Sequence, residues 1–359
     1  MRIALVHDYF TQLGGAERVV GALARTLEPA VIAASVVDRR LLPAELADRD
    51  IRATPLQVLL RAGAPLASMA PLLPLAFARL DVGPADAVVS SSSAFAHHVR
   101  APRGAVHVAY IHTPARFIWE SDEYFRQHRG QQRLLGPALA WFGRLDRTAF
   151  QRVDRVVANS AYTAARLAAI HGSRPDVVHP PIALNTFRPS AERSGRFLVV
   201  ARLRPYKRLD IAVAAAGRTG LPLDVIGSGP DLGRLRRGAG PTVRFLGRLS
   251  DPAVARAMAT CEALIVPGVE DFGLTMAEVQ ASGRPPLALA AGGAREIVED
   301  GVSGYLVGES TVEAFAEGML RARQTDLDPA NLVRSAARFG PAPFALAMRR
   351  IVAETAARS

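Results

Sequence analysis

Only one cysteine, Cys261, and one lysine, Lys207, occur in 359 residues. A single thiol excludes a disulfide framework and any cysteine-rich metal cluster; it fits a reducing compartment, and a cytoplasmic location is expected. Long apolar runs are also missing. The most hydrophobic internal stretch, Pro55 to Leu80, is broken by Arg61 and by prolines, so it lacks the roughly 20 consecutive apolar residues of a spanning helix. At the amino terminus, MRIALVHDY meets His7 and Asp8 at once, with neither a charged region before a long apolar one nor a small-residue cleavage site, and no signal peptide is expected. The dinucleotide pattern Gly-x-Gly-x-x-Gly is absent, as is any short internal repeat.

What is present is 49% hydrophobic content in a chain too long for one ordinary core, so two domains are expected. The formal net charge of +11 leans toward the first half. Such a surplus suits a phosphate-bearing ligand or an anionic membrane surface. No recognised nucleic-acid-binding motif accompanies the arginines, so nucleic acid is not an expected partner.

Short β-branched runs alternate with amphipathic helical patterns. Ile3 to Val6, Ala30 to Val37, Ala87 to Ser90, Val106 to Ile111 and Val156 to Ala158 read as buried parallel strands. After His179-Pro180-Pro181 and Phe187-Arg188-Pro189 the pattern restarts with Phe197 to Val200, Leu223 to Ile226, Val243 to Leu246, Ala263 to Val266 and Pro286 to Leu289. The fold class is α/β, two doubly wound Rossmann-like domains expected over residues 1–188 and 189–340. The last segment, 341–359, has helical spacing at Phe344, Met348, Ile351 and Val352 and is expected to cross back to the first domain. Ligands of open α/β sheets bind at the carboxyl ends of the strands, so two facing sheets would place those ends across a shared cleft.

Strand-end residues therefore carry the chemistry. Phe197 to Val200 runs into Ala201-Arg202-Leu203-Arg204-Pro205-Tyr206-Lys207, which puts Arg202 and Lys207 at the mouth of the second sheet. Where arginine is used 43 times, a solitary lysine points to a need for a compact ammonium. Fixed cations stabilise the charge that builds on a departing diphosphate. The usual alternative is a divalent ion on an Asp-x-Asp pair; none stands in these strand-end segments, and a metal-independent site is expected.

Val266 to Glu278 reads as strand end, polar turn and helix start. Amides of Phe272, Gly273 and Leu274 at a helix N-terminus would bind phosphate and sugar hydroxyls, with Asp271 beside them. Glu270 and Glu278 would lie about 12 Å apart if both were helical, too far to act together as a double-displacement pair. In the first half, Gly14-Gly15 before Ala16-Glu17 lets bare backbone approach a diphosphate, although a Gly-Gly pair is more often a plain turn. His112 closes another strand beside Thr113-Pro114, a loop suited to face sugar or acceptor. The basic stretch Arg126 to Arg155, interleaved with Leu134, Leu135, Leu139, Trp141, Phe142 and Leu145, admits two readings: peripheral docking on the anionic inner face of a membrane, or ordinary core.

Together the segments HDYFTQLGGAERVV, YIHTPARFIWE, NSAYTAARL, VVARLRPYKRLDIAV, GSGPD and VPGVEDFGLTMAEVQASGRP resemble glycosyltransferase family 4, in particular its bacterial mannosyltransferase branch. The resemblance implies a GT-B fold and a retaining hexosyltransferase that takes mannose from GDP-mannose, with no further cofactor, and passes it to a glycan, lipid-linked or small-molecule acceptor. It implies that Arg202 and Lys207 grip the diphosphate, Glu270 meets the sugar and Glu278 the ribose. Gly15 would approach the phosphates, His112 would lie beside the reactive carbon, and Asn159, Ser160 and Gly227 would line the cleft. Retention would follow front-face attack, the leaving phosphate helping to deprotonate the acceptor. A UDP-sugar-dependent transferase, a nucleotide-sugar 2-epimerase, a phosphorylase with pyridoxal phosphate on Lys207, and a catalytically dead nucleotide-sugar-binding subunit are the alternatives.

Overall fold

The computed structural model describes residues 1–121 and 129–358. The chain divides into two compact units, Met1–Pro181 with Ala342–Ser359, and Ile182–Pro341. The division falls at Pro181 rather than at residue 188 because Ile182 and Phe187 are already packed in the core of the second unit.

In the first unit, β1 (Ile3–His7), β2 (Val31–Ala34), β3 (Ile51–Ala53), β4 (Ala87–Ser92), β5 (Val106–Ile111), β6 (Arg155–Ala158) and β7 (Asp176–Val177) form one sheet in the order β3-β2-β1-β4-β5-β6-β7. Every pairing is parallel. Successive side chains alternate between faces. On β1, Ile3 and Leu5 join one core cluster while Ala4 and Val6 join another, so both faces are covered and the strand reads as an unbroken apolar run. Strands β3 and β7, which sequence patterning missed, are short edge strands: only Ile51 of β3 is buried and β7 has two residues. The run expected as strand to Val37 ends at Ala34, where Ser35 turns the chain by bonding its N–H to the Asp8 carbonyl.

The second unit repeats the design. Strands β8 (Phe197–Val200), β9 (Leu223–Ile226), β10 (Val243–Gly247), β11 (Leu264–Val266), β12 (Pro286–Leu289) and β13 (Tyr305–Val307) run parallel in the order β10-β9-β8-β11-β12-β13. Phe197 and Val199 face one core and Leu198 the other. Both sheets thus reverse their strand order once, between β1 and β4 and between β8 and β11. The crevice at such a switch point is where doubly wound sheets hold ligands.

From Ala342 on, the helix Pro341–Ala356 belongs to the first unit. Phe344, Met348, Ile351 and Val352 lie in the same cluster as Ile3, Leu5, Val108 and Tyr110. Each such side chain contributes about 1.5–3 kcal/mol on burial. Arg349 donates to the Thr26 carbonyl at 2.8 Å, and Arg155 donates to Glu354 at 2.8 Å.

The helix Arg129–Phe150 divides the residues for which two readings stood open. Phe142 is core at 7% exposure, whereas Leu135 and Trp141 stand exposed. Arg126 and the side chain of Leu134 lie outside the described residues. No helix among the described residues is long and apolar enough to cross a membrane.

Candidate active site

Each switch point carries a cluster of polar side chains, and the two differ in kind. In the second unit, β8 ends in a loop and a 3-10 turn, Pro205–Lys207, that presents the only lysine. β11 ends in Pro267-Gly268-Val269-Glu270. Across this switch point the Lys207 ammonium lies 2.5 Å from both carboxylate oxygens of Glu270, and the two side chains are 16% and 17% exposed. Sequence spacing did not pair them. Contact between the strand-end loops brings them together: a Cβ on Gly268 would stand 2.8 Å from the Lys207 carbonyl oxygen, so the backbones touch there.

Behind Glu270 lies a support that sequence reasoning missed. Glu270 forms an isolated parallel bridge with Gly292, and its carbonyl accepts from the Gly293 N–H at 2.9 Å. Gly292 has φ +61°, and an added Cβ would meet the Glu270 carbonyl oxygen at 2.3 Å. The glycine pair after β12, in Ala290-Ala291-Gly292-Gly293, was the available signal.

The helix begins only at Leu274, with Gly273 as its N-cap, so Glu270 and Glu278 do not share a helix and their expected 12 Å helical rise does not apply. Glu270 belongs to the turn, while Glu278 is buried at 8% exposure within the helix Leu274–Ala281. Asp271 is half-buried. Phe272 places its ring in the core against Phe339 (centroids 5.2 Å), which leaves only its backbone to face a ligand. In its first turn the Met276 N–H bonds back to the Gly273 carbonyl at 2.9 Å, and the N–H of Leu274 at the first position points out of the helix's N-terminus. Gly227, just after β9, has φ +135°, and a Cβ there would fall 1.9 Å from the Ala201 carbonyl oxygen. Only glycine lets the two strand-end loops pass this closely. Arg202, on the first of those loops, is exposed.

The first unit's switch point is built from buried imidazoles, hydroxyls and amides. His112, at the end of β5, is buried and bonded through Nε2 to the Ser91 hydroxyl at 2.7 Å, and its carbonyl accepts from the Asn159 amide at 2.8 Å. His7, at the end of β1, bonds the Ser91 carbonyl through Nδ1 at 3.0 Å, and its ring stands edge-on to His112 with centroids 6.5 Å apart. Burial, reinforced by His7, lowers the His112 pKa to about 3, so the ring is neutral at physiological pH. Next to it, burial alone would raise Glu17, but the His7 imidazole, with its Nε2 3.9 Å away, holds that carboxyl below its usual value.

Glu17 also explains the Gly-Gly turn. Its Oε2 accepts from the Gly14 N–H at 2.8 Å, the backward half of a capping box, where the helix Gly15–Leu27 starts. The Gly14 amide is thereby occupied, while Gly15 is exposed. Ser160 caps the helix Ala161–His171 by accepting from the Thr163 N–H at 3.0 Å. Asp8 is another residue whose role sequence reasoning missed: its carboxylate accepts from the N–H groups of Ser93, Ala94, Phe95 and Ala96 at 2.5–3.0 Å and fixes the chain leaving β4.

Two Asp-x-Asp pairs do occur, Asp48-Arg49-Asp50 and Asp326-Leu327-Asp328, but all four carboxylates are exposed and none follows the carboxyl end of a strand at either switch point. Asp328 caps the helix Pro329–Ala337 and Asp326 pairs with Arg193.

Two parallel sheets with a 3-2-1-4-5-6 core order, each with polar side chains at its switch point, define the GT-B class of fold. Solved structures agree over the whole chain: the Anabaena protein HepE, crystallised with UDP and glucose, superposes with a TM-score of 0.72 over 99% of this chain and 100% of its own at 18% identity. Sucrose-phosphate synthase from Thermosynechococcus elongatus superposes with a TM-score of 0.73 over 100% of both at 18% identity.

The family model described as Glycosyltransferase Family 4 matches residues 13–186, and that described as Glycosyl transferases group 1 matches residues 186–339. The chain belongs to glycosyltransferase family 4. Among curated relatives, D-inositol 3-phosphate glycosyltransferase of Mycolicibacterium paratuberculosis is 34% identical over 230 residues, 57% of this chain and 49% of the relative. That of a Nocardioides species is 30% identical over 217 residues, 49% of this chain and 47% of the relative. The chain thus matches about half the length of these relatives.

Proposed function

We propose that the protein is a retaining glycosyltransferase that moves a hexose from a nucleoside diphosphate sugar to a hydroxyl acceptor. The observation that carries this reading is the Lys207–Glu270 pair at the second switch point, with Arg202 on the adjoining strand-end loop. As the bond from sugar to phosphate breaks, negative charge grows on the diphosphate, and a cation held at low exposure stabilises it without reorganising. Lys207 supplies that held charge in this reading and Arg202, exposed on the adjoining loop, adds to it, so no divalent ion is required. Glu270, held by Lys207 and by the Gly292–Gly293 turn, faces the hexose; Glu278 binds the ribose; amides at Phe272, Gly273 and Leu274 take sugar hydroxyls and phosphate. Gly227 gives close backbone approach, and Gly15 approaches the phosphates. His112, neutral and oriented by Ser91, accepts hydrogen bonds from the sugar or acceptor.

GDP-mannose is the proposed donor, on the family resemblance of the motifs. A UDP-hexose is the second reading, favoured by structural neighbours crystallised with UDP and UDP-glucose. The acceptor is proposed to be a glycan or a lipid-linked sugar, and the exposed Leu135 and Trp141 support peripheral contact with an anionic membrane.

Thermal-shift measurements against GDP, UDP, ADP and their hexose conjugates, without added Mg²⁺ or Mn²⁺, test this reading, since a ligand of the folded state raises the melting temperature. Stabilisation by GDP and GDP-mannose is expected. Selective stabilisation by UDP-sugars would replace the donor, and no response to any nucleotide would overturn the assignment. Liposome co-sedimentation should strengthen with anionic lipid content; indifference to it would remove the membrane contact.

A further inference from the structure

A second cluster lies in the first unit, apart from the residues assigned to transfer. The 3-10 turn Ala96–His98 follows β4 and carries two adjacent buried imidazoles. Both face Asp146, which is 1% exposed near the C-terminal end of the helix Arg129–Phe150. His97 Nε2 is 2.9 Å from Asp146 Oδ1 and His98 Nε2 is 3.9 Å from the same oxygen. A third imidazole, His171 at the end of the helix Ala161–His171, has its side chain 3% exposed and its Nε2 3.4 Å from Asp146 Oδ2. Trp119 Nε1 donates to Oδ2 at 2.8 Å.

We propose that His97, His98, Asp146 and His171 form a binding site for one Zn²⁺ ion that ties together the chain after β4 and two helices of the first unit.

Three observations converge on this. First, the donor atoms of His97, His98 and Asp146 all lie within 4.8 Å of one another. Tetrahedral zinc with bonds of about 2.0–2.1 Å sets its ligand atoms roughly 3.3 Å apart. From Asp146 Oδ1, His97 Nε2 at 2.9 Å and His98 Nε2 at 3.9 Å bracket that edge length, and His171 Nε2 stands 3.4 Å from the other oxygen, Oδ2, within reach as a fourth ligand. Second, His98 Nε2 and both nitrogens of His171 are buried without a hydrogen-bond partner. Buried polar atoms left this way are costly, and two such imidazoles aimed at one carboxylate are accounted for by an ion between them. Third, the orienting shell of a metal-binding histidine is in place: the other nitrogen of His97, Nδ1, meets the Ser92 hydroxyl at 3.0 Å, which turns Nε2 toward Asp146. Imidazole and carboxylate donors without a thiolate suit Zn²⁺, and the sole cysteine lies in the core of the other unit.

The full-length protein, stripped with a chelator and dialysed, should take up one Zn²⁺ per chain that survives gel filtration. Co²⁺ in its place should give the intense visible absorption of a four-coordinate ion. His98→Gln and His171→Gln, each checked for folding by circular dichroism, should lose at least tenfold in zinc affinity, and Ser92→Ala should lose about 10–100-fold through the orienting bond. Substoichiometric zinc with no cobalt band in the wild-type protein, or uptake undiminished in folded His98→Gln, would overturn the site and leave the cluster a hydrogen-bonded one.

Discussion

The two switch points solve the same topological problem with opposite chemistry. At the first, His7, Ser91, His112 and Asn159 are buried and bonded to one another, and the Asp8 and Glu17 carboxylates beside them accept from backbone N–H groups. At the second, Lys207 and Glu270 stay charged at intermediate exposure. The contrast follows from physics: the carboxylates buried at the first position are held by backbone N–H groups and, for Glu17, by His7, whereas the paired charges of the second neutralise each other and remain reachable by an anionic ligand. A shared sheet order therefore fixes where a ligand sits without fixing its charge.

Removing the charge from the charged side should have the largest effect. Lys207→Ala is expected to lower kcat by about 10²–10³-fold with a smaller change in donor KM, because its ammonium complements charge that develops in the transition state. Steady-state kinetics decide this; unchanged turnover would remove Lys207 from the chemistry. Lys207→Arg should recover little, since a planar guanidinium does not replace a compact ammonium between two strand-end loops.

Gly227→Ala should damage the second unit's scaffold rather than its charge. The new Cβ meets the Ala201 carbonyl at a positive φ, and a loss of about 3 kcal/mol is expected in denaturant unfolding. Full wild-type stability would show that the loops part easily.

The imidazoles of the first side should reveal themselves through pH. His107, bonded to the Ser90 hydroxyl, and His112 are both lowered by burial to pKa about 3, against about 6.5 in the unfolded chain. Between these values the unfolded chain binds more protons, so their contribution is complete above about pH 6.5 and is lost as pH falls toward 3. Each can contribute a slope of up to about 1.4 kcal/mol per pH unit in that window. Melting temperatures from pH 7 to 4 should fall and His107→Gln should flatten the trend; a flat wild-type profile would contradict the neutral imidazoles. The smallest effect expected is from Ser160→Ala, about 1 kcal/mol for the lost cap, read from the same melting curves.

Much of this was legible in the sequence, and the limits have physical causes. Strands buried on both faces announce themselves as apolar runs, which is why β1, β5 and β8 were readable, whereas β3, β7 and β13 bury few residues at or near a sheet edge. The return of Phe344, Met348, Ile351 and Val352 to the first unit followed from helical spacing. Lys207 stood out by being the sole lysine. Its partner did not, because Glu270 is 63 residues away and only strand order brings the two together. The same holds for Asp8, whose acceptor role at residues 93–96 depends on β1 lying beside β4, and for the Gly292–Gly293 turn, whose value appears only when its backbone meets Glu270.

Hydrogen exchange with and without a saturating nucleoside diphosphate tests the central claim most directly, because it reports where the ligand sits independently of turnover. The account predicts added protection at residues 201–208, 226–229 and 270–278, reduced in Lys207→Ala. Protection confined to other segments, or none at these three, would contradict the assignment of the second switch point as the diphosphate site.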